Sequence, residues 1–228
     1  MNEIKKYLVL VAGGKGLRMG NAIPKQFLPL HGIPLLTHSI IAFLQAIPDI
    51  ELILVLPAGQ MSYAQMVLSP LPSPVNVTIV AGGETRFHSV KNGLSAINGQ
   101  GVIFVHDGAR PLVSKQLILR CYEQAMATGS AIPAINVTES MRIVNGDSST
   151  AVNRDNLRVI QTPQTFLTHI ILPAFQQEYS PFFTDEATVA EANGAAINLV
   201  EGDRRNIKVT TPEDIMIAGV FLNTHEEE

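Results

Sequence analysis

The chain has 228 residues, 46% of them hydrophobic, enough to bury a sizeable core as one domain over residues 1–228. A formal net charge of −4 argues against a nucleic-acid partner, so any phosphate site must be a local gathering of cations. No apolar run nears the roughly twenty residues a bilayer requires, no secretory leader is visible, and the single cysteine excludes a disulfide framework, so the cytoplasm is the default setting.

Strand signals fall at Tyr7–Ala12, Glu51–Pro57, Asn76–Val80, Val102–His106 and Ala131–Ile135. Helical patterns run between them. Pro34–Ala46 opens with a first-turn proline and repeats apolar residues at Leu36, Ile40, Phe43 and Leu44. Val90, Leu94 and Ile97 line one face of a second helix. Leu117, Cys121 and Ala125 line a third, which makes Cys121 a packing residue. A last helix starts at Thr211-Pro212-Glu213-Asp214, with a cap, a proline and two acids at the positive helix end. This alternation predicts an α/β fold of one domain, a mostly parallel, doubly wound sheet flanked by helices.

One segment breaks the pattern. Met141–Val144 and Val152–Ile160 are strand-like, lie on either side of NGDSST, and carry polar residues on both faces. A hairpin that polar suits the middle of a buried sheet poorly. It is either a surface excursion or an arm reaching onto a second subunit.

The most informative stretch is Val9–Gln26, a strand running into a glycine-rich loop. Gly13, Gly14, Gly16 and Gly20 let backbone N–H groups approach an anion, and Arg18 and Lys25 add cations able to flank a row of phosphates. A triphosphate suits this arrangement; the alternative is a tight strand-to-helix turn with no ligand. The P-loop spacing is absent, and G-K-G-L-R-M-G is one residue too long for the dinucleotide fingerprint. If the strand order begins 3-2-1-4, the fourth strand ends beside this loop. There Asp107 offers a hard oxygen to Mg²⁺ and Arg110 a second anion contact, with a helix cap as the alternative role for the aspartate. Gly82 and Ser89 follow strand three and could line a base. Lys208 falls in what reads as a short strand near the chain end.

These residues together resemble the 2-C-methyl-D-erythritol 4-phosphate cytidylyltransferase family, within the sugar nucleotidyltransferase superfamily, from Tyr7 to about Leu222. The loop with its P-K-Q is moderately specific. H-D-x-A-R-P at His106–Pro111, G-G-x-x-R-x-x-S-V at Gly82–Val90, T-P-Q at Thr162–Gln164, T-D-E-A at Thr184–Ala187 and N-I-K-V-T at Asn206–Thr210 narrow it.

The resemblance implies transfer of a cytidylyl group from CTP to a polyol phosphate with release of pyrophosphate, in the non-mevalonate isoprenoid route. It implies that Arg18 and Lys25 bind the triphosphate and steady charge on the α-phosphate, and that Asp107 binds Mg²⁺ or another divalent cation. Ala12, Gly13, Gly14, Gly16, Gly82, Ser89 and Gly108 would hold the nucleotide. Arg110, Thr184 and Lys208 would contact the polyol phosphate. Ser140, Arg154 and Thr162 would reach a neighbouring subunit's site from an arm at about 137–162, making the protein a homodimer. Gly108 stands where alanine is usual in the family, and Val137–Ser140 replaces a more typical Asp-Thr ending while keeping a hydroxyl at Ser140. Ribitol 5-phosphate cytidylyltransferase, with the same chemistry, and a nucleotide-sensing module without turnover are the alternatives.

Overall fold

The computed structural model describes residues 4–12, 23–72 and 75–223. In chain order the elements that place the site are β1 (Lys5–Val11), α1 (Leu35–Ala46), β2 (Glu51–Leu56), β3 (Val77–Ala81), α2 (Arg86–Leu94), β4 (Gly101–Asp107), α3 (Lys115–Thr128) and β5 (Ser130–Asn136). They continue with β6 (Met141–Asn145), β7 (Ser148–Val152), β8 (Arg158–Ile160), β9 (Gln164–Leu167), α4 (Thr168–Ala174), α5 (Glu186–Ala192), β10 (Leu199–Glu201) and α6 (Pro212–Asn223).

An eight-stranded sheet runs β8-β5-β9-β4-β1-β2-β3, with β10 paired to β5. The β3-β2-β1-β4 portion is parallel and reproduces the expected 3-2-1-4 order. Both faces are covered, which is why these strands read as unbroken apolar runs. On one face Leu8, Leu10, Leu52, Leu54 and Phe104 pack with Leu36, Ile40 and Phe43 of α1 and Leu117 and Cys121 of α3. On the other, Tyr7, Val9, Ile53, Val55 and Val105 pack with Phe87, Val90 and Leu94 of α2 and Ile171 of α4. Each such aliphatic side chain contributes about 1.5–3 kcal/mol on burial. Burial also pushes the Cys121 thiol up to about 12, in keeping with a packing role. No helix among the described residues is long and apolar enough to cross a membrane.

The sheet contains one strand the sequence did not show, and two sequence expectations shift. First, β9 enters antiparallel between β4 and β5, so the fifth strand is not the direct neighbour of the fourth. At four residues, β9 is too short to show a period. Second, the hairpin is β6 with β7, closed by Gly146 and Asp147 between the paired Asn145 and Ser148. Gly146 has φ of 59°, which a two-residue hairpin loop favours, so the following serines and threonine are strand rather than turn. The expected second strand, Val152–Ile160, instead leaves the hairpin, and β8 joins the main sheet antiparallel to β5. Third, Lys208 lies outside any strand: residues 206–210 are extended but irregular, held by Val209 N–H donating to Ala109 O at 2.8 Å.

The α2 helix lies directly on the sheet at Gly93, where a Cβ would sit 2.7 Å from Val9 Cγ1 and 2.8 Å from Val55 Cγ2. Alanine in place of glycine normally helps a helix by up to roughly 1 kcal/mol. Here overpacking reverses the sign, and Gly93→Ala is expected to destabilise by about 1–3 kcal/mol, read as a lower urea midpoint at unchanged m-value.

Candidate active site

The parallel strands end together. Val11 of β1 is in register with Asp107 of β4 and with Val55 of β2. Backbone bonds continue past the strand ends: Ala12 N–H donates to Val55 O at 2.9 Å, Gly82 N–H to Leu56 O at 2.7 Å and Gly108 N–H to Val11 O at 2.9 Å. Ala12, Gly82 and Gly108 are thereby set side by side along one rim. Gly13, Gly14, Gly16, Gly20 and Arg18 lie outside the described residues. Both flanks of that segment are fixed, because the buried Gln26 amide donates to Ala12 O at 3.1 Å and to Gln60 Oε1 at 2.9 Å. Lys25, beside it, donates from Nζ to Val209 O at 3.0 Å.

Asp107 is the centre of the site. Its Oδ2 accepts from Lys208 Nζ at 2.7 Å, and its Oδ1 accepts from Arg86 Nε at 3.1 Å. The other edge of the Arg86 guanidinium holds Glu186, with Nη1 to Oε1 at 2.5 Å and Nη2 to Oε2 at 3.0 Å. Burial opposes ionisation of Asp107, but Arg86, Lys208 and Arg110 outweigh it and hold the carboxyl well below the usual range. At Glu186, fully buried, burial pushes the carboxyl up and Arg86 opposes that rise. The bidentate geometry is that of a guanidinium–carboxylate ion pair. Arg86 and Glu186 both sit inside the quoted motifs, yet the sequence assigned them no role. They are 100 residues apart, and only the fold brings them together.

A second network lies beneath. His106 Nε2 meets the Arg110 carbonyl at 3.1 Å, so it carries the proton and leaves Nδ1 to accept from the Thr162 hydroxyl at 3.0 Å. The same hydroxyl accepts from Asp107 N–H at 3.0 Å. Burial pushes the His106 imidazole down to about 4, so it is neutral at pH 7. Thr162 is therefore a buried partner of its own chain's Asp107 and does not project with the hairpin. The hairpin itself ends at β7, and the chain has returned to the main sheet through β8 before reaching Thr162.

Ser89 is buried as well. Its hydroxyl donates to Thr85 O at 2.9 Å and accepts from Gly83 N–H at 3.1 Å, so it shapes the 82–85 loop from below instead of facing a ligand. Gly108 leaves little room for a side chain: a Cβ would meet Leu36 Cδ1 at 2.2 Å and Val11 O at 3.3 Å. Arg110 is buried, donates from Nη1 to Asn206 O at 2.7 Å, and has an Nε without a partner among the described residues. Thr184 is exposed just ahead of α5. That turn is pinned by Gln164, which donates to Asp185 Oδ2 at 2.8 Å and accepts from Ala187 N–H at 2.8 Å. Ser140 and Arg154 lie at the base of the hairpin, where Arg154 Nη1 donates to Thr138 O. A cavity of about 410 Å³ there is lined by Asn136, Thr138, Arg154, Asp155, Arg158 and Arg204. The structure thus joins Lys25, Asp107, Arg110, Thr162 and Lys208 in one bonded region and sets Ser140 and Arg154 in another.

For a divalent cation the protein offers one carboxylate, since the described residues hold no group of three or more His, Cys, Asp or Glu side chains suited to a metal. Mg²⁺ commonly takes one or two carboxylates and draws its other oxygens from phosphates and water. An ionised Asp107 fits such an ion in the company of a polyphosphate.

A parallel α/β rim that sets Lys208, Arg86 and Arg110 around one ionised carboxylate, with Lys25 on the nearby Val209 carbonyl, can collect phosphates, as a nucleotidyltransferase requires. The model of the 2-C-methyl-D-erythritol 4-phosphate cytidylyltransferase family matches residues 7–224. A protein of that name from Bacteroides fragilis is 45% identical over 214 residues, covering 94% of this chain and 98% of its own. One from Phocaeicola vulgatus is 46% identical over 219 residues, covering 96% and 100%. The crystal structure of 4-diphosphocytidyl-2C-methyl-D-erythritol synthase from Anaerococcus prevotii matches with a TM-score of 0.82 at 26% identity, covering 96% of this chain and 99% of that one. The chain belongs to the 2-C-methyl-D-erythritol 4-phosphate cytidylyltransferase family.

Thr162→Val strips partners from His106 Nδ1 and Asp107 N–H while keeping volume. It is expected to cost about 1–3 kcal/mol in denaturant unfolding, with Thr162→Ser recovering most of the loss.

Proposed function

We propose that the protein joins CTP to 2-C-methyl-D-erythritol 4-phosphate, giving 4-diphosphocytidyl-2-C-methyl-D-erythritol and pyrophosphate, in non-mevalonate isoprenoid biosynthesis. Family membership names the reaction. The observation that carries its assignment to residues is that Lys208 bonds Asp107 at the end of β4 while Lys25 bonds the carbonyl of the next residue in the chain, Val209.

An anionic oxygen of the polyol phosphate attacks the α-phosphorus of CTP, and the bond from that phosphorus to the bridging oxygen of the β-phosphate breaks. Pyrophosphate leaves with the electron pair. The attacking oxygen is already ionised at neutral pH, so no general base is required. The obstacle is repulsion, on the order of 4 kcal/mol per pair of unit charges 4 Å apart at an effective dielectric of 20. Arg18 and Lys25 offset it along the triphosphate, and Lys208, Arg110 and Thr184 do so on the acceptor side. Ala12, Gly13, Gly14, Gly16, Gly82 and Gly108 supply backbone to the nucleotide, with Ser89 holding the Gly82–Gly83 turn in shape. Mg²⁺, held at Asp107, would neutralise charge on the triphosphate. The substrates are hydrophilic phosphates, which supports a cytoplasmic setting. We take residues 1–228 as one domain.

We further assign the β6–β7 hairpin, within an arm at about 137–162, to a homodimer interface, with Ser140 and Arg154 contributing to the partner's site. Two facts support this. Among the described residues the hairpin pairs only with itself, and a lone two-stranded hairpin is marginal in water. It also exposes apolar side chains, Ile143 at 54% and Val144 at 72%.

Lys25→Ala is expected to lower kcat by roughly 10² to 10³, by analogy with removing one oxyanion donor, measured as pyrophosphate release. Near-normal turnover would overturn the role given to Lys25. Running the wild-type enzyme with ribitol 5-phosphate in parallel decides the acceptor, because faster release with ribitol 5-phosphate transfers the assignment to that polyol. Release with neither, despite CTP binding, would favour a sensor. Shared sites have their own check. Lys25→Ala and Arg154→Ala proteins, each slow alone, are expected to regain activity when unfolded and refolded together, because a hybrid dimer contains one site with both native groups. No recovery would sink the shared-site assignment.

A further inference from the structure

The Arg86–Glu186 pair lies outside every role assigned so far. Arg86 is the first residue of α2, after the Thr85 cap, and leads directly out of the Gly82–Gly83 turn. Glu186 is the first residue of α5, after the Asp185 cap and the exposed Thr184. Arg86 therefore ties three segments: its own backbone leads out of the nucleotide-side loop, while its guanidinium bonds Glu186 at the acceptor-side turn and Asp107 at the end of β4. The planar fork binds Glu186 through both terminal nitrogens and still directs Nε to Asp107, a division of donors that a lysine cannot reproduce. Each segment has its own anchor as well, Ser89 for the loop and Gln164 for the turn. Loss of Arg86 would leave both elements folded but unlinked. A buried ion pair is also weak grounds for stability, because apolar residues of similar volume often serve as well.

We propose that Arg86, oriented by Glu186, is the positioning residue of this site: it fixes the Asp107 carboxylate and holds the nucleotide loop and the acceptor turn at their working separation. The proposal rests on the cytidylyltransferase function above. With Oδ1 engaged by Arg86, the carboxylate cannot rotate freely, and Oδ2 is presented to Lys208 or to a divalent cation. Arg86 acts through Asp107 and needs no contact with substrate.

The decisive variant replaces the pair by apolar residues, Arg86→Met with Glu186→Leu. The expected result is a urea midpoint close to wild type, kcat lowered roughly 10²-fold with little change in KM for CTP, and Mn²⁺ affinity in the presence of CTP weakened at least about 10-fold by electron paramagnetic resonance. Arg86→Lys is expected to restore neither kcat nor Mn²⁺ affinity. A folded apolar-pair variant with near-wild-type kcat and Mn²⁺ affinity would overturn the proposal and leave the pair a core ion pair only. Should that variant fail to fold, Glu186→Gln takes its place, since it keeps one hydrogen bond to Arg86. A smaller loss of kcat and Mn²⁺ affinity is expected from it, and unchanged values would overturn the proposal. Failure of the functional assignment has a different signature: wild type itself would release no pyrophosphate with either polyol, while the Mn²⁺ titration would still report on Asp107.

Discussion

A single buried negative charge, outnumbered by cations, organises this end of the molecule. Asp107 stands at the carboxyl end of a central strand, where burial alone would favour its neutral form. It stays ionised because Arg86 and Lys208 each hold one of its oxygens. Glu186 offsets the guanidinium from its terminal nitrogens, Nη1 and Nη2, while Nε donates to Asp107 and Nη2 lies 3.1 Å from the same Asp107 oxygen. With Arg110 included, three cationic side chains act on Asp107, and Lys25 bonds the Val209 carbonyl nearby, in a chain whose net charge is −4. The excess is local. That is what a polyanion needs from a protein whose overall field would repel it.

Much of the polar content of the motifs turns out to support rather than to contact. His106 and Thr162 lock the end of β4, Ser89 shapes the glycine turn, Gln26 fixes the approach of Lys25, and Gln164 pins the start of α5. Each buries its hydrogen-bonding groups against backbone or against another motif residue. A half-satisfied version of this network would be worse than none, because unpartnered polar atoms in the interior are costly. The rim is stiff for that reason, and phosphoryl-type transfer asks mainly for stiff, charged positioning.

The parallel core was legible in the sequence because Tyr7–Val11, Glu51–Leu56 and Gly101–Asp107 are apolar on both faces and are separated by helices of clear period. What escaped was short or non-local. Four-residue β9 carries no readable period, and the serines of β7 look like turn until Gly146 is seen to close the loop in two residues. Lys208 read as strand because Ile207 and Val209 flank it, yet it is held by Ala109 and by its bond to Asp107 instead of by a ladder. Asp107, Lys25 and Lys208 could be singled out from their motifs, and the fold brings them into one bonded region. The pairing of Arg86 with Glu186 was not, because nothing local links positions 100 residues apart.

Gly108 carries a last implication. A methyl group added there would collide with Leu36, a residue on a helix far away in sequence whose side chain is itself wholly enclosed. Leucine at 36 and glycine at 108 are thus two halves of one choice, and a side chain at 108 requires Leu36 to give way. Substitutions at the nucleotide rim of this protein have to be understood together with the layer beneath it.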